Sequence, residues 1–294
     1  ALQVLFAAFL EQGDTILAPG PHYPPYMAYP QMYGAKTVEY ALDSDQGWAI
    51  DTDDIRRKMN DSVKFIVIVN PNNPTGNVAK PSTIKEVLSI ARDWPNCTVI
   101  ADEIYDALDF SGDQRSVASL SDEVPVVTLN GVSKVHFAPG WRIGYMAFFD
   151  PRGSLRAPRD GVERILRSRL CASTPAQYGY LAGLGHDRLW LKERLSTIER
   201  KVELCMNRID GIEGLSCNRP GGAFYLFPKI ENPSKYGSDK KFVLDLLHEE
   251  HVLVVHGSGF SPQYGSGHFR LVALAPEELL NEAFDRIDRF VRSR

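Results

Sequence analysis

Three apolar runs in this chain each end in side chains suited to chemistry rather than to packing. KFIVIV (Lys64 to Val69) is followed by Asn70-Pro71-Asn72-Asn73-Pro74-Thr75-Gly76, TVIA (Thr98 to Ala101) by Asp102-Glu103-Ile104-Tyr105, and VPVVTL (Val124 to Leu129) by Asn130-Gly131-Val132-Ser133-Lys134. An amide, an acid with a phenol, and a primary amine are thus presented in succession. Arg142 comes eight residues after Lys134, behind the small and turn residues Ala138-Pro139-Gly140. A lysine amine can condense with a carbonyl, and a carboxylate can hold a protonated ring nitrogen. Amide and phenol donors stabilise an oxyanion, and a guanidinium forks onto phosphate or carboxylate. Two further groups fit the same chemistry: the ring of Tyr23 in Pro21-His22-Tyr23-Pro24-Pro25-Tyr26, and Arg270 in Gly267-His268-Phe269-Arg270.

The elements that must position these groups are legible from periodicity. Lys64 to Val69 predicts a buried strand. Thr83 to Asp93 places Ile84, Val87, Leu88 and Ala91 at helical spacing behind a Thr83/Glu86 capping box. Thr98 to Ala101, Val124 to Leu129 and Arg142 to Phe149 read as further strands. Alternation of short strands and helices predicts an α/β fold with a mixed, mostly parallel sheet and flanking helices. In such a sheet ligands bind beyond the carboxyl ends of the strands, where the chemical residues lie.

A charged helical stretch from Leu189 to Asn207 marks a change of character, and we place a domain junction there, with a large domain over 1–190 and a smaller α+β domain over 191–294. The latter should contain strands at Gly222 to Phe227, His251 to Val255 and His268 to Leu274, and a helix around Lys240 to Glu250. A closing helix should start with Pro276 at its first position and bury Leu279, Leu280, Ala283, Phe284 and Ile287.

Composition restricts the function classes. Of 294 residues, 33 are Lys or Arg and 37 Asp or Glu, a net charge of -4 that provides neither a nucleic-acid footprint nor a polybasic membrane patch. No apolar run approaches the ~18 residues of a membrane helix. Cys97, Cys171, Cys205 and Cys217 lie far apart, which fits a reducing, cytoplasmic setting rather than a disulfide framework. The opening ALQVLFAAFL reads as the middle of a buried helix without a cap, so the expectation is that the chain continues upstream. Small-molecule chemistry is the reading that remains.

The constellation matches the needs of pyridoxal 5'-phosphate: Lys134 for the Schiff base, Asp102 for the pyridine nitrogen, Asn73 and Tyr105 for the phenolate oxygen, and Arg142 for the phosphate. Gly131-Val132-Ser133-Lys134 with Arg142-Ile143-Gly144, together with NPNNPTG and DEIY upstream, resembles the fold-type I aminotransferases of classes I and II. NGVSKVHFAPGWRIGYM and HGSGF followed by GHFR are similar to the alanine-aminotransferase-like branch. The resemblance, which runs the length of the chain, implies that Lys134 links the cofactor and shuttles the proton while Tyr23 stacks on its ring. It implies that Arg270, with Asn73, binds the substrate carboxylate. It further implies ping-pong transfer from a small amino acid, alanine, to a 2-oxo acid such as 2-oxoglutarate, by a homodimer with shared active sites. Two positions depart from the pattern: Gly131 stands where many members carry a phosphate-binding Ser, and Phe137 is larger than usual.

Alternative readings of the same residues are an elimination enzyme (a carbon-sulfur lyase or an aminocyclopropane-carboxylate synthase) and the aminotransferase-like effector domain of a transcription regulator. No second arginine for a side-chain carboxylate can be assigned. His248-Glu249-Glu250-His251 lacks the spacing of a zinc helix and reads as a solvated helix end, and Gly257-Ser258-Gly259 reads as a turn.

Overall fold

The computed structural model describes residues 1–186 and 189–294. In chain order the elements are α1 (Leu2–Phe9), β1 (Thr15–Gly20), α2 (Pro25–Gln31), β2 (Lys36–Asp43), β3 (Ala49–Ile50), α3 (Thr52–Lys58), β4 (Val63–Val69), α4 (Pro81–Arg92), β5 (Thr98–Asp102), β6 (Val126–Gly131) and β7 (Gly144–Phe149). There follow α5 (Arg156–Ser168), α6 (Thr174–Gly185), α7 (Leu189–Asp210), β8 (Leu215–Ser216), β9 (Tyr225–Leu226), β10 (Lys229–Ile230), α8 (Asp239–Glu250), β11 (Val255–His256), β12 (Phe269–Val272) and α9 (Glu277–Arg292).

The main sheet has seven strands in the order β3-β2-β1-β4-β5-β6-β7. Strands β2, β1, β4, β5 and β6 run parallel, and β3 and β7 are antiparallel edges. This is the mixed, mostly parallel sheet expected from the alternation of elements. The apolar runs are buried on both faces, as a helix-covered parallel sheet requires. Ile66, Ile68, Val99 and Ala101 join one core with α4, while Phe65, Val67 and Ile100 join another with α1. The strand order changes direction between β1 and β4, so a crevice opens above their carboxyl ends.

In the C-terminal third, β9, β11 and β12 form a three-stranded antiparallel sheet against α7, α8 and α9. Its core takes in Tyr105, Leu108 and Val135 from the turns after β5 and β6, so the site-bearing turns rest directly on this region.

Several boundaries differ from the sequence reading. α4 starts at Pro81 with Lys80 as an uncapped N-cap, so the Thr83/Glu86 capping box does not form; the proline, with no N–H to satisfy, opens the helix two residues earlier. The strand expected at His251 to Val255 shrinks to β11, because His251 adopts left-handed geometry (φ 57°) to close α8. Likewise β7 starts at Gly144 rather than Arg142, which sits in a left-handed turn conformation. Gly222 to Phe227 contributes just β9, since Ala223 at φ 58° bends the chain. Pro276 caps α9 rather than occupying its first turn, and Leu279 is mostly exposed while Leu280, Phe284 and Ile287 are buried. Among the described residues, no helix is long and apolar enough to cross a membrane, and no cluster of His, Cys, Asp and Glu is arranged to hold a metal ion.

Candidate active site

All seven residues singled out in the sequence line one cleft of about 450 Å³: Tyr23, Asn73, Asp102, Tyr105, Lys134, Arg142 and Arg270. They come from the turns after β1, β4, β5 and β6, from the turn before β7, and from β12. The sheet edge explains the convergence, because adjacent parallel strands end at the same level and hand their following residues to one crevice.

The turn after β4 is a rigid knob. Asn70 Oδ1 accepts from the Ala79 N–H at 2.9 Å, and Asn72 Oδ1 accepts from Thr75 Oγ1 at 2.9 Å. Gly76 adopts φ 69°, and a methyl group there would lie 2.4 Å from Pro220 Cβ. Its carbonyl accepts from the N–H groups of Gly221 and Gly222 at 2.9 and 3.0 Å. Glycine is required twice over, for the backbone sign and for the close approach. The knob therefore fixes Asn73 against the segment leading to Tyr225.

Asp102 ends β5 as the floor of the cleft. The Tyr26 hydroxyl donates to its Oδ2 at 2.6 Å. Surrounding protein desolvates the carboxylate and pushes its pKa upward, an effect that the Tyr26 and Ile104 donors offset in part. No cation pairs with it among the described residues. A desolvated carboxylate open to a cleft is suited to a ligand bearing a cationic N–H. The neighbouring Glu103 faces away, is 5% exposed, and accepts from the Val117 N–H at 2.8 Å.

Lys134 Nζ lies 5.9 Å from the ring centres of both Tyr105 and Phe224, above the floor. The Tyr105 hydroxyl is 2.9 Å from that of Tyr225, and burial, followed by the proximity of Tyr225, pushes its pKa well above the usual phenol value. The planar cation of Arg270 is flanked by the rings of Tyr225 and Phe260, its carbon 4.7 Å from each centre. Its Nη1 donates to Asn73 Oδ1 at 2.8 Å, and its Nε is buried without a partner. This guanidinium is held in a fixed plane with donor capacity to spare, as a carboxylate fork requires. Arg142 contrasts with it: exposed, it donates Nη1 to the Pro139 carbonyl at 2.6 Å. Tyr23 is 45% exposed over the opening, its ring edge-on to Tyr26 at 6.5 Å.

The family model for aminotransferase class I and II matches residues 1–287. The chain belongs to that family. Transaminase chemistry with pyridoxal 5'-phosphate is therefore the activity of this aminotransferase, in preference to the elimination and regulator readings. It is 38% identical to a glutamate-pyruvate aminotransferase of Haemophilus influenzae over 97% of this chain and 71% of that one. Among solved structures it resembles an alanine aminotransferase from Pyrococcus furiosus, with a TM-score of 0.96 and 48% identity over 100% of this chain and 74% of that one. It also resembles an aspartate aminotransferase from Thermus thermophilus with maleate, with a TM-score of 0.88 and 28% identity over 98% and 73% of the two chains. The aminotransferase fold is thus shared by enzymes named for different amino acids, and it does not by itself select a substrate.

The residues present fit the cofactor. Asp102 is a desolvated carboxylate awaiting a cation, Lys134 an amine within the same cleft, and Arg270 a buried guanidinium with an unused Nε. Gly131 has no room for a side chain, because a methyl group would lie 2.6 Å from the Ile143 carbonyl oxygen beside the β6–β7 ladder. Phe137, the second departure, is accommodated by pointing outward from a left-handed turn, 40% exposed. Sequence reasoning missed three members of the site: Tyr26, Tyr225 and Phe260. Tyr26 sits in the first turn of α2, three residues beyond Tyr23. Phe260 closes the HGSGF run and Tyr225 lies in the strand-like GAFYLF run, but neither stretch shows that the two rings meet at Arg270, ten and 45 residues away.

Proposed function

We propose that the protein transfers the amino group of a small amino acid, alanine, to a 2-oxo acid such as 2-oxoglutarate. The observation that carries this reading is the opposition, across one small cleft, of a lysine amine and a pre-fixed carboxylate-binding arginine. The naming of its relatives supports the choice of alanine. Bound pyridoxal 5'-phosphate supplies an aldehyde carbon and an electron-withdrawing ring. Asp102 would hold the ring nitrogen protonated, its carboxylate steadied by the Tyr26 hydroxyl. Tyr105 and Asn73 would donate to the phenolic oxygen, Tyr23 would cover the ring, and Arg142 would contact the phosphate. Arg270 orients the amino acid by its carboxylate, which sets the Cα–H bond toward Lys134. Lys134 Nζ, facing the same cleft, would carry the Cα proton as general base and return it as general acid, and water would be needed to release the 2-oxo acid.

The large region over 1–190 would form one domain and 191–294 a second, with the cleft between them. A homodimer in the cytoplasm is part of the same proposal. Its support is an apolar surface around α6, where Leu170 and Tyr178 are 77% and 70% exposed and Leu181 is 66% exposed. A panel of amino donors, each offered with pyruvate and with 2-oxoglutarate, tests the substrate assignment. Alanine with 2-oxoglutarate should give pyruvate and glutamate without ammonia. A strong preference for a dicarboxylic donor with pyruvate inactive, or ammonia as main product, would refute it.

A further inference from the structure

A buried polar cluster behind the cleft ties the turn carrying Tyr23 to the segment preceding Arg270. Ser261, fully buried, donates its hydroxyl to Glu39 Oε2 at 2.9 Å and accepts from the Tyr264 N–H at 2.9 Å. His22, also buried, places Nδ1 2.9 Å from Glu39 Oε1, and its backbone N–H donates to the Phe260 carbonyl at 3.2 Å. The Tyr264 ring seals the joint against Gly20, where a methyl group would lie 2.2 Å from the ring. Glu39 belongs to β2 and Ser261 to the turn after Gly257–Gly259, 222 residues apart. Neither lines the cleft.

The residue pinned between these contacts is Phe260. Its backbone carbonyl is held by His22 and its successor by Glu39, and its ring centre lies 4.7 Å from the Arg270 guanidinium carbon, as does that of Tyr225. A guanidinium flanked by two rings and bonded to Asn73 has little freedom to swing, so its unused donors are aimed before a carboxylate arrives. We propose that Glu39 and Ser261 are positioning residues for the substrate carboxylate, acting through Phe260 on Arg270. The inference rests on the reading of Arg270 as the carboxylate grip. It gives a mostly buried carboxylate and a fully buried hydroxyl outside the cleft a part in substrate affinity and none in proton transfer.

The split between KM and kcat tests it. Ser261→Ala and Glu39→Leu should each raise KM for both the amino donor and the 2-oxo acid by about five- to twentyfold, leaving kcat within about twofold and the cofactor absorbance unchanged. The dissociation constant of 2-methylalanine, which keeps the carboxylate but has no α-proton, should rise by the same factor. Glu39→Gln preserves an oxygen that can accept from Ser261 and should remain near wild type. Phe260→Leu should reproduce the loss, and Ser261→Ala added to it should raise KM no further, because the two act on one contact. Should Ser261→Ala fail to fold, the Glu39→Leu and Glu39→Gln pair decides the same point. An unchanged KM in Glu39→Leu despite a lower melting temperature, or losses that multiply with Phe260→Leu, would overturn the proposal. If Arg270→Lys itself leaves KM unaltered, the underlying carboxylate reading fails instead. A donor preference other than alanine affects neither result.

Discussion

The two ends of the cleft are built to different standards. At the Arg270 end, the cation is flanked by two rings and bonded to Asn73, and one of those rings, Phe260, adjoins the Glu39–Ser261 pair. At the Arg142 end, the guanidinium is exposed and bonded to a carbonyl of its own turn, with Arg169 along the same opening. Burial lowers the pKa of Arg270 from its ordinary value, while the neighbouring tyrosines raise it. The difference teaches which half of the chemistry this chain prearranges. Under the proposed roles, the Arg270 grip on a carboxylate is oriented before binding, whereas Arg142 brings a charge to the phosphate with little that holds its direction.

Removing the amine between the two ends should have the largest effect. Lys134→Ala should lower turnover by at least about a thousandfold, since the cofactor linkage and the proton carrier vanish together. Single-turnover absorbance changes on adding alanine would measure it, and retention of a tenth of the wild-type rate would remove Lys134 from the mechanism. Next is the floor. Asp102→Asn should slow α-proton abstraction by about a hundredfold or more with cofactor still bound, because a neutral amide cannot stabilise the ring N–H cation. A primary isotope effect with α-deuterated alanine would report the slowed step.

The contrast between the arginines predicts separable losses. Arg270→Lys should raise KM for every amino acid alike by about ten- to a hundredfold, the worth of a charged fork reduced to a point contact, with cofactor affinity unchanged. Arg142→Gln should do the reverse, weakening cofactor binding by about tenfold while KM at saturating cofactor stays put. If both variants changed both constants equally, the two ends would not be independent.

The last effect lies beneath the floor and concerns stability rather than turnover. Burial raises Glu103 from its ordinary value of 4.5 to about 7. The folded chain thus holds a proton there that the unfolded chain releases near 4.5, and stability is lost as pH rises from about 4.5 through about 7. The loss is on the order of 3 kcal/mol. Glu103→Gln keeps an acceptor for the Val117 N–H and should abolish that part of the decline. Urea midpoints at pH 5 and pH 8 would show a smaller drop in the variant than in wild type, and equal drops would contradict the assignment.

The strand ends were readable because a parallel sheet turns sequence order into spatial order. Asn73, Asp102 and Lys134 each follow an apolar run, and no long-range information was needed to place them side by side. The Thr83/Glu86 box and the strand at His251 misled because local patterns compete: Pro81 opened α4 first, and a left-handed His251 ended α8 where β-propensity alone suggested extension. Gly131 was visible as a departure, but the reason for it, a carbonyl 2.6 Å from where a methyl group would sit, lies on the neighbouring strand.

The sequence by itself determined the alternation of strand and helix, the chemical residues at the strand ends, and through their spacing the family. Periodicity and turn chemistry act within a few residues, so such features survive in one dimension. The tertiary structure decided that Tyr26 reaches Asp102 across 76 positions, that Tyr225 meets Tyr105 across 120, and that Asn73 bonds Arg270 across 197. The first depends on how α2 packs on the main sheet, and the other two on how the C-terminal sheet docks over the turns after β4 and β5. Docking is set by the packing of buried faces summed over many residues, which no short stretch of sequence encodes.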